Sequence, residues 1–249
     1  MINTIIHWDC LEVMKNIPDG SIDAIITDPP YWSTKCSWDT VIPFEPMWKE
    51  LKRIIKPNGA IVLFGSEPFS SALRMSNIKM YKYDWKWRKT KANWFLNVKK
   101  MPLKDLEDIC VFYTKTPTYS PQWVIKIDKK VKNPNGRFIE WKHISWHNWW
   151  RMKNEDYLQE YTNYPRQILD LWIESKPVHP TQKPVALLEY LIKTYTNEWE
   201  TVLDFTAGSW TTWIACQNTN RNFILIEKEK EYYDIAFDRL ENNKKIWSI

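Results

Sequence analysis

Glycine is scarce in this sequence, with 5 residues among 249, although an average share of about 7% would give roughly 17. Tryptophan is in excess by a similar amount, with 17 residues. Several tryptophans stand in polar turn segments that favour small residues, as in Ala207-Gly208-Ser209-Trp210. We therefore hypothesise that many of these tryptophan codons are UGA codons that the source organism translates as glycine. A chain truly rich in tryptophan is the alternative.

Cysteine and long apolar runs are also scarce. The cysteines Cys10, Cys36, Cys110 and Cys216 are scattered without a Cys-x-x-Cys pair, and too few histidines lie nearby to complete a zinc set. We expect reduced thiols and no metal site. No apolar stretch approaches the roughly 18 residues of a membrane helix, and no charged-then-apolar leader is present. These features favour a cytoplasmic protein without membrane contact.

The composition that remains is that of a folded protein. A hydrophobic content of 44% in 249 residues is enough for a full core, as one large domain or as one domain with a sizeable insertion. The net charge of +5 and the isoelectric point near 8.8 permit nucleic-acid binding without requiring it.

Strand-like apolar runs alternate along the chain with amphipathic helical stretches, which predicts an α/β fold with a doubly wound, mostly parallel sheet. The predicted strands are 2–6, 22–26, 60–64, 81–87, 108–113, 201–205 and 222–226. The predicted helices are 11–17, 46–55, 185–195, 211–218 and one from about residue 229, with a turn at Pro57-Asn58-Gly59. The alternation fails between residues 114 and 170, which indicates an insertion.

The tetrapeptide Asp28-Pro29-Pro30-Tyr31 follows the apolar run from Ile22 to Thr27. A β-branched run that ends in an acid, two prolines and an aromatic residue indicates a strand leading into a rigid loop. Proline has no N–H group, so this loop presents carbonyl and carboxylate acceptors beside an aromatic ring. Such a set suits a planar base whose exocyclic amine donates to the acceptors. A simple chain turn is the alternative.

A second group of residues near the end of the chain indicates a cofactor site. Residues 201–209 read as a strand ending in a small-residue turn that opens a helix, a geometry that offers backbone N–H groups to a ligand. The next strand ends in Glu227, where a doubly wound sheet holds the ribose hydroxyls of a nucleoside cofactor. We expect Asp28, Gly208 and Glu227 at one sheet edge, although each feature alone is common.

Three stretches resemble the S-adenosylmethionine-dependent amino-group DNA methyltransferases: Asp23 to Tyr31, His179 to Pro184 and Asp204 to Thr212. The catalytic loop precedes the cofactor loop, which resembles the β group of that family. The resemblance implies a Rossmann-like methyltransferase fold with an inserted target-recognition region. It divides the chain into a catalytic half (1–113), a target-recognition insertion (114–170) and a cofactor-binding half (171–249).

The resemblance also implies roles for individual residues. The catalytic loop would hold and stack a flipped adenine for methylation at N6, and its residues are Asp28, Pro29, Pro30 and Tyr31. S-adenosylmethionine would be bound by Asp9, Cys10, Asp28, Thr181, Lys183, Asp204, Phe205, Thr206, Gly208, Ser209, Thr211, Glu227 and Lys228. Thr181 and Lys183 fit a proline-bounded helix start nearly as well.

Double-stranded DNA is the substrate that the resemblance implies, and a homodimer and a cognate restriction endonuclease are left open as partners. The insertion carries a basic stretch interleaved with aromatic residues, which suits phosphate contacts. Its candidate DNA-binding residues are Lys129, Lys130, Arg137, Lys142 and Arg151. A solvated charged surface is the alternative.

The chain departs from the family pattern where the family has glycine, at Trp8, Trp32, Trp94, Trp210 and Trp213. We expect an indole at position 210 to press on the helix start where the cofactor's methionine end would lie. Genuine tryptophans would therefore indicate a non-catalytic DNA-binding relative. N4-cytosine methylation and a nicotinamide dehydrogenase are further alternatives, and the dehydrogenase lacks its G-x-G-x-x-G fingerprint.

Overall fold

The computed structural model describes residues 2–31, 40–93, 98–131, 157–171, 182–208, 210–235 and 237. The chain divides into two compact units, of which the first combines Met1–Ser120 with Arg166–Ile249 and the second is Pro121–Pro165. The domain boundaries at residues 113 and 170 stay a prediction. No described helix is long and apolar enough to cross a membrane.

Eight strands of the first unit form one sheet, in the order β1-β10-β9-β2-β3-β5-β4-β8. In chain order the strands are β1 (Thr4–His7), β2 (Ile22–Thr27), β3 (Ile55–Gly65), β4 (Tyr81–Asn93), β5 (Lys104–Phe112), β6 (Ile125–Val131), β7 (Tyr157–Thr162), β8 (Ile168–Asp170), β9 (Thr201–Asp204) and β10 (Asn222–Glu227). Strands β1, β10, β9, β2 and β3 are parallel neighbours, whereas β5 is antiparallel to both β3 and β4.

Helices cover both faces of this sheet. They are α1 (Cys10–Met14), α2 (Phe44–Ile54), α3 (Phe69–Ser76), α4 (Val185–Tyr195) and α5 (Thr211–Asn218). Helices α1 to α3 pack in one core cluster with Ile25 of β2, whereas α4 and α5 pack in another with Ile26. Because successive residues of a strand point to opposite faces, the two clusters lie on opposite sides of the sheet. The predicted doubly wound, mostly parallel fold is confirmed.

Two local predictions differ from the structure. The predicted turn at Pro57-Asn58-Gly59 is wrong, because these residues continue β3. The pairing of β2 with β3 shifts register there, and a Cβ atom on Gly59 would lie 2.7 Å from the carbonyl oxygen of Asp23. Glycine therefore permits a close backbone approach rather than a turn. Helix α3 was not predicted, since its sequence FSSALRMS carries only a short apolar pattern.

The second unit contains β6 and β7, which pair antiparallel in a separate sheet. Residues Ile125–Lys130 of β6 are exposed. The side chain of Asn163, just after β7, donates to the carbonyl oxygen of Trp123, just before β6, at 2.7 Å and joins the two strands at that end. A two-stranded sheet with so much exposed surface gains little stability from burial.

Candidate functional site

The carboxyl ends of four parallel strands bring the predicted site residues to one edge of the sheet. Asp28 follows β2, Gly208 follows β9, Glu227 ends β10 and Asp9 follows β1. These strands are adjacent in the order β1-β10-β9-β2. The prediction that Asp28, Gly208 and Glu227 share one edge is confirmed. Ligands of open α/β sheets bind at this edge.

A buried charged cluster surrounds Asp28. The Lys183 ammonium forms an ion pair with Asp28 and lies 2.9 Å from Oε1 of Glu107. The Tyr31 hydroxyl contacts Asp28 and lies 3.0 Å from the same Glu107 oxygen. Lys89 approaches the other Glu107 oxygen at 2.5 Å. Glu107 reaches this cluster because β5 runs antiparallel to β3, which places Asp108 opposite Gly65 at the end of β3.

The cluster shifts the protonation of its members. Burial acts to raise the pKa of Glu107, but Lys183 and Lys89 outweigh it and lower the value to about 2. Burial raises the pKa of Asp28, with a further contribution from the Glu107 carboxylate and opposition from Lys183. Burial and the two carboxylates hold the pKa of Tyr31 well above its usual value. Glu107 is therefore the firmly ionised carboxylate of the pair.

The aromatic ring of Tyr31 stacks on Phe69 of α3, with ring centroids 5.3 Å apart and planes inclined by 26°. Pro29 is buried, and Asp28 and Tyr31 are partly exposed. The loop therefore offers a fixed ring and a carboxylate next to each other at the sheet edge. A flat base with an exocyclic amine needs these two features, a stacking surface and an acceptor.

Asp204 ties the loop after β9 to the loop after β2. Its carboxylate accepts from the Thr27 hydroxyl at 2.6 Å, from the Thr206 backbone N–H at 3.2 Å and from the Thr212 hydroxyl. The Thr206 hydroxyl also donates to the carbonyl oxygen of Asp28 at 3.1 Å. Burial raises the pKa of Asp204 to about 6 against these hydrogen bonds. The role of Asp204 in the structure is thus to position the two loops.

Glu227 shapes the turn that opens toward α5. One carboxylate oxygen accepts from the Gly208 backbone N–H at 2.8 Å and the other accepts from the Glu229 backbone N–H at 2.7 Å. Gly208 has φ of +51°, a left-handed conformation that glycine adopts without strain. Burial raises the pKa of the Glu227 carboxyl. The acid thus holds a small-residue loop at the strand tip.

Asp9 lies at the end of the neighbouring strand β1. Its side chain caps α1 by accepting from the Leu11 N–H at 2.9 Å, and Lys228 lies 3.5 Å away. Cys10 is buried, and burial raises the pKa of its thiol to about 12. Cys10, Cys110 and Cys216 are free thiols, and the described residues contain no cluster suited to a metal ion.

Trp210 has φ of +66° at the start of α5, a conformation that costs a β-carbon-bearing residue about 1–2 kcal/mol. Its indole is buried, and its ring centroid lies 5.9 Å from that of Tyr233. The indole N–H has no hydrogen-bond partner among the described residues. Trp213 is buried too. The indole of Trp210 thus belongs to the hydrophobic core cluster.

The backbone of the loop at Gly208 and the carboxylates of Asp9 and Glu227 fit a nucleoside cofactor.

The other predicted site residues fall into three groups. Phe205 and Thr211 are buried beside the loop after β9. Lys129 and Lys130 are exposed in the second unit. The residues that lie outside the described part of the chain are Thr181, Ser209, Arg137, Lys142, Arg151, Trp32 and Trp94.

Sequence reasoning missed Glu107 and Lys89. Glu107 lies in β5 and Lys89 lies in β4, both in the antiparallel part of the sheet. The predicted strand 108–113 begins one residue after Glu107, and the predicted strand 81–87 ends two residues before Lys89. The only signal in the sequence was that Glu107 is an acid shortly before the apolar run Ile109–Phe112. That signal does not reveal the contact with Lys183, which is 76 residues further along the chain.

A family model described as DNA methylase, for enzymes acting at N6 and N4 amino groups, matches residues 22–238. The type II methyltransferase M2.DpnII of Streptococcus pneumoniae is 30% identical over 95% of this chain and 89% of its own length. The type II methyltransferase M.HpaI of Haemophilus parainfluenzae is 28% identical over 97% of this chain and 75% of its own length.

Solved structures also include DNA methyltransferases that are similar to this chain. The complex of M1.HpyAVI with S-adenosylmethionine has a TM-score of 0.62 and 30% identity, over 95% of this chain and 98% of that one. The cytosine-N4-specific PvuII DNA methyltransferase has a TM-score of 0.64 at 16% identity, over 95% and 85% of the two chains, which shows the shared fold. The chain therefore belongs to the N6/N4 family of DNA methylases and is an S-adenosylmethionine-dependent DNA methyltransferase.

Proposed function

We propose that this DNA methyltransferase methylates the N6 amine of an adenine that is flipped out of double-stranded DNA. The observation that carries the proposal is the position of Asp28 and Tyr31, an acceptor and a ring at the same sheet edge as Gly208 and Glu227. Aspartate before Pro-Pro-Tyr, rather than serine, favours adenine over cytosine by resemblance to the family.

The Asp28 loop acts by orienting the amine. The lone pair of an adenine amine is delocalised into the ring, so acceptors that hold its two N–H groups favour the tetrahedral geometry of attack. The Asp28 carboxylate and the Pro29 carbonyl supply these acceptors, and Tyr31 stacks on the extruded base. No strong base is needed, because the proton leaves after transfer. S-adenosylmethionine supplies an electrophilic methyl group on a sulfonium centre.

The cofactor is held by groups at the neighbouring strand ends. Glu227 and Asp9 offer carboxylates for nucleoside hydroxyl and amine groups, while Gly208 permits close backbone approach. The ordered contacts of Asp204 with Thr27 and Thr206 keep the cofactor loop next to the catalytic loop. Lys183 forms an ion pair with the Asp28 carboxylate. These assignments rest on position and chemistry at the shared edge.

DNA contacts come from the target-recognition region, with Lys129 and Lys130 among the residues that bind phosphates. Both are exposed on β6, and exposed lysines supply the sequence-independent part of DNA affinity. The same proposal takes residues 1–113 and 171–249 as the catalytic and cofactor-binding halves around an insertion at 114–170. It includes a cognate endonuclease, since the relatives are type II methyltransferases.

Single-molecule sequencing of genomic DNA tests the choice of base. The chain is expressed in a bacterial host that lacks DNA methyltransferases, and its variant with glycine at positions 8, 32, 94, 210 and 213, the glycine variant, is expressed in parallel. We expect N6-methyladenine at one short recognition sequence in DNA from the host with the glycine variant. N4-methylcytosine instead would overturn the adenine proposal and retain the fold and cofactor.

The tryptophans at left-handed positions support the glycine hypothesis. The described residues with positive φ that are not glycine are Asn3, Trp123, Asp128, Asn163, Trp199, Trp210 and Asn220. Asparagine and aspartate tolerate this conformation, but a bulky aromatic residue does not. The proposal is that the natural protein has glycine at positions 123, 199 and 210. Codon sequencing and peptide masses of the protein from its source organism test this, and UGG codons at these positions would rule it out.

Trp199→Gly is expected to raise the free energy of unfolding by about 1 kcal/mol. Trp199 has φ of +67° and its side chain is 71% exposed, so the substitution relieves backbone strain and loses little packing. Trp8→Gly is the matched control, because Trp8 is 63% exposed but is absent from the positive-φ positions. It should gain nothing in urea denaturation. An equal effect of both substitutions would remove the strain argument.

A further inference from the structure

Both oxygens of the Asp28 carboxylate already have donors in the structure. The Tyr31 hydroxyl contacts Oδ1 and the Lys183 ammonium contacts Oδ2. An adenine amine that uses Asp28 as its acceptor competes with these two donors for the lone pairs of the carboxylate. A donor that gives way to the amine is buried or partly buried and needs another acceptor, because a buried polar group without a partner costs about 1–3 kcal/mol, and more if charged.

Glu107 is the acceptor within reach of both donors. Its Oε1 lies 3.0 Å from the Tyr31 hydroxyl and 2.9 Å from the Lys183 ammonium. The Glu107 side chain is 5% exposed, so water does not compete for this oxygen. Lys89 holds Oε2 at 2.5 Å and fixes the carboxylate in place.

We propose that Glu107 is a positioning residue for methyl transfer, which takes over the Tyr31 hydroxyl and the Lys183 ammonium when the target amine binds Asp28. The inference rests on the proposed function, since it takes Asp28 as the acceptor of the amine. Glu107 does not touch the base or the cofactor in this account. It makes Asp28 available at little cost, because Tyr31 and Lys183 exchange one carboxylate for another.

The substitution Glu107→Gln tests this role. A neutral amide is a weaker acceptor for Lys183, so Lys183 stays on Asp28 and the amine competes poorly. We expect kcat to fall by about 10- to 100-fold, as for other errors of positioning. The dissociation constant for S-adenosylmethionine and the KM for DNA should stay near the values of the unchanged protein. Steady-state kinetics measure kcat and the KM for DNA, and calorimetry measures the dissociation constant for S-adenosylmethionine.

The pH profile supplies a readout that a purely structural role would not move. The charged and titratable groups around Glu107 are Asp28, Tyr31, Lys89 and Lys183. The Glu107 carboxylate contributes to the raised pKa of Asp28. Its loss should therefore shift the acid limb of the activity profile to lower pH.

Asp108→Asn is the matched control. Asp108 is the next residue of β5, is also buried, and pairs with Lys86 at 2.5 Å and Arg74 at 2.9 Å instead of with the Asp28 cluster. It should lower stability without changing the pH profile or kcat. Glu107→Asp keeps the charge but withdraws the carboxylate by one methylene, so it remains informative if Glu107→Gln does not fold. It should also lose activity.

The outcomes separate this inference from the proposed function. If the unchanged enzyme and its glycine variant fail to methylate DNA, the proposed function fails. If DNA is methylated and Glu107→Gln or Glu107→Asp retains kcat within about twofold, only the positioning role of Glu107 is overturned. Weakened cofactor binding in proportion to the loss of activity, or an equal loss in Asp108→Asn, would also overturn it.

Discussion

Asp28→Asn is expected to lower kcat by about 10²–10³-fold, the range found when one preorganised electrostatic partner of a reacting group is removed. The carboxylate is the strongest acceptor for the amine in the loop, and an asparagine amide has one weaker acceptor and a donor that repels the amine hydrogens. Asparagine has nearly the same volume, so the fold should persist. Steady-state methyl transfer to DNA measures the effect.

Asp19→Asn is the control for this substitution. Asp19 lies before β2, at the opposite end of the strand that Asp28 follows, and its side chain is 77% exposed beside Arg53. Its activity should equal that of the unchanged enzyme. Cofactor binding by Asp28→Asn, measured by calorimetry, should persist with at most a small change. Retention of full methyl transfer by Asp28→Asn would remove Asp28 from the catalytic loop.

Lys183→Met is expected to lower the free energy of unfolding by about 3–5 kcal/mol, the cost of removing one partner from a buried ion pair. Lys183 pairs with both Asp28 and Glu107, and its side chain is 9% exposed. The substitution leaves the buried Glu107 and the partly exposed Asp28 without this cation, and Lys89 remains in contact with Glu107. Urea denaturation at neutral pH measures the loss.

The pH dependence of this loss has a defined sign. The pKa of Glu107 is lowered in the folded protein, from 4.5 to about 2, so the stabilisation it gives is present above pH 4.5 and is lost as the pH falls toward 2. The difference between Lys183→Met and the unchanged protein should therefore shrink on acidification. Lys193→Met is the control, because Lys193 is 44% exposed and lies 3.9 Å from Glu189, and such surface pairs contribute about 0–1 kcal/mol. A loss as small as that of the control would contradict the buried-pair account.

The sheet edge could be predicted from the sequence because its chemistry is local. Asp28, Gly208 and Glu227 each end an apolar strand, and parallel strands place their carboxyl ends together. Helices α4 and α5 were predicted with their observed bounds, since Val185–Tyr195 and Thr211–Asn218 have clear limits. Local pattern was sufficient in these cases.

The antiparallel part of the sheet carries the features that the sequence did not reveal. The contact of Glu107 with Lys183 depends on the direction of β5 and on its place beside β3, which only tertiary pairing decides. Gly59 lies in β3 because of a register shift against β2, although Pro-Asn-Gly alone favours a turn. Long-range pairing overrides local propensity at both places.

Transfer of a deuterated methyl group from S-adenosylmethionine tests the central claim most directly. The purified chain and its glycine variant are incubated with unmethylated duplex DNA, which is then digested to nucleosides and analysed by mass spectrometry. The account predicts the label on the N6 of deoxyadenosine with the glycine variant, and its loss when Asp28→Asn is added. Label on N4 of deoxycytidine would contradict the choice of adenine, and no label with either protein would contradict DNA methylation by this chain.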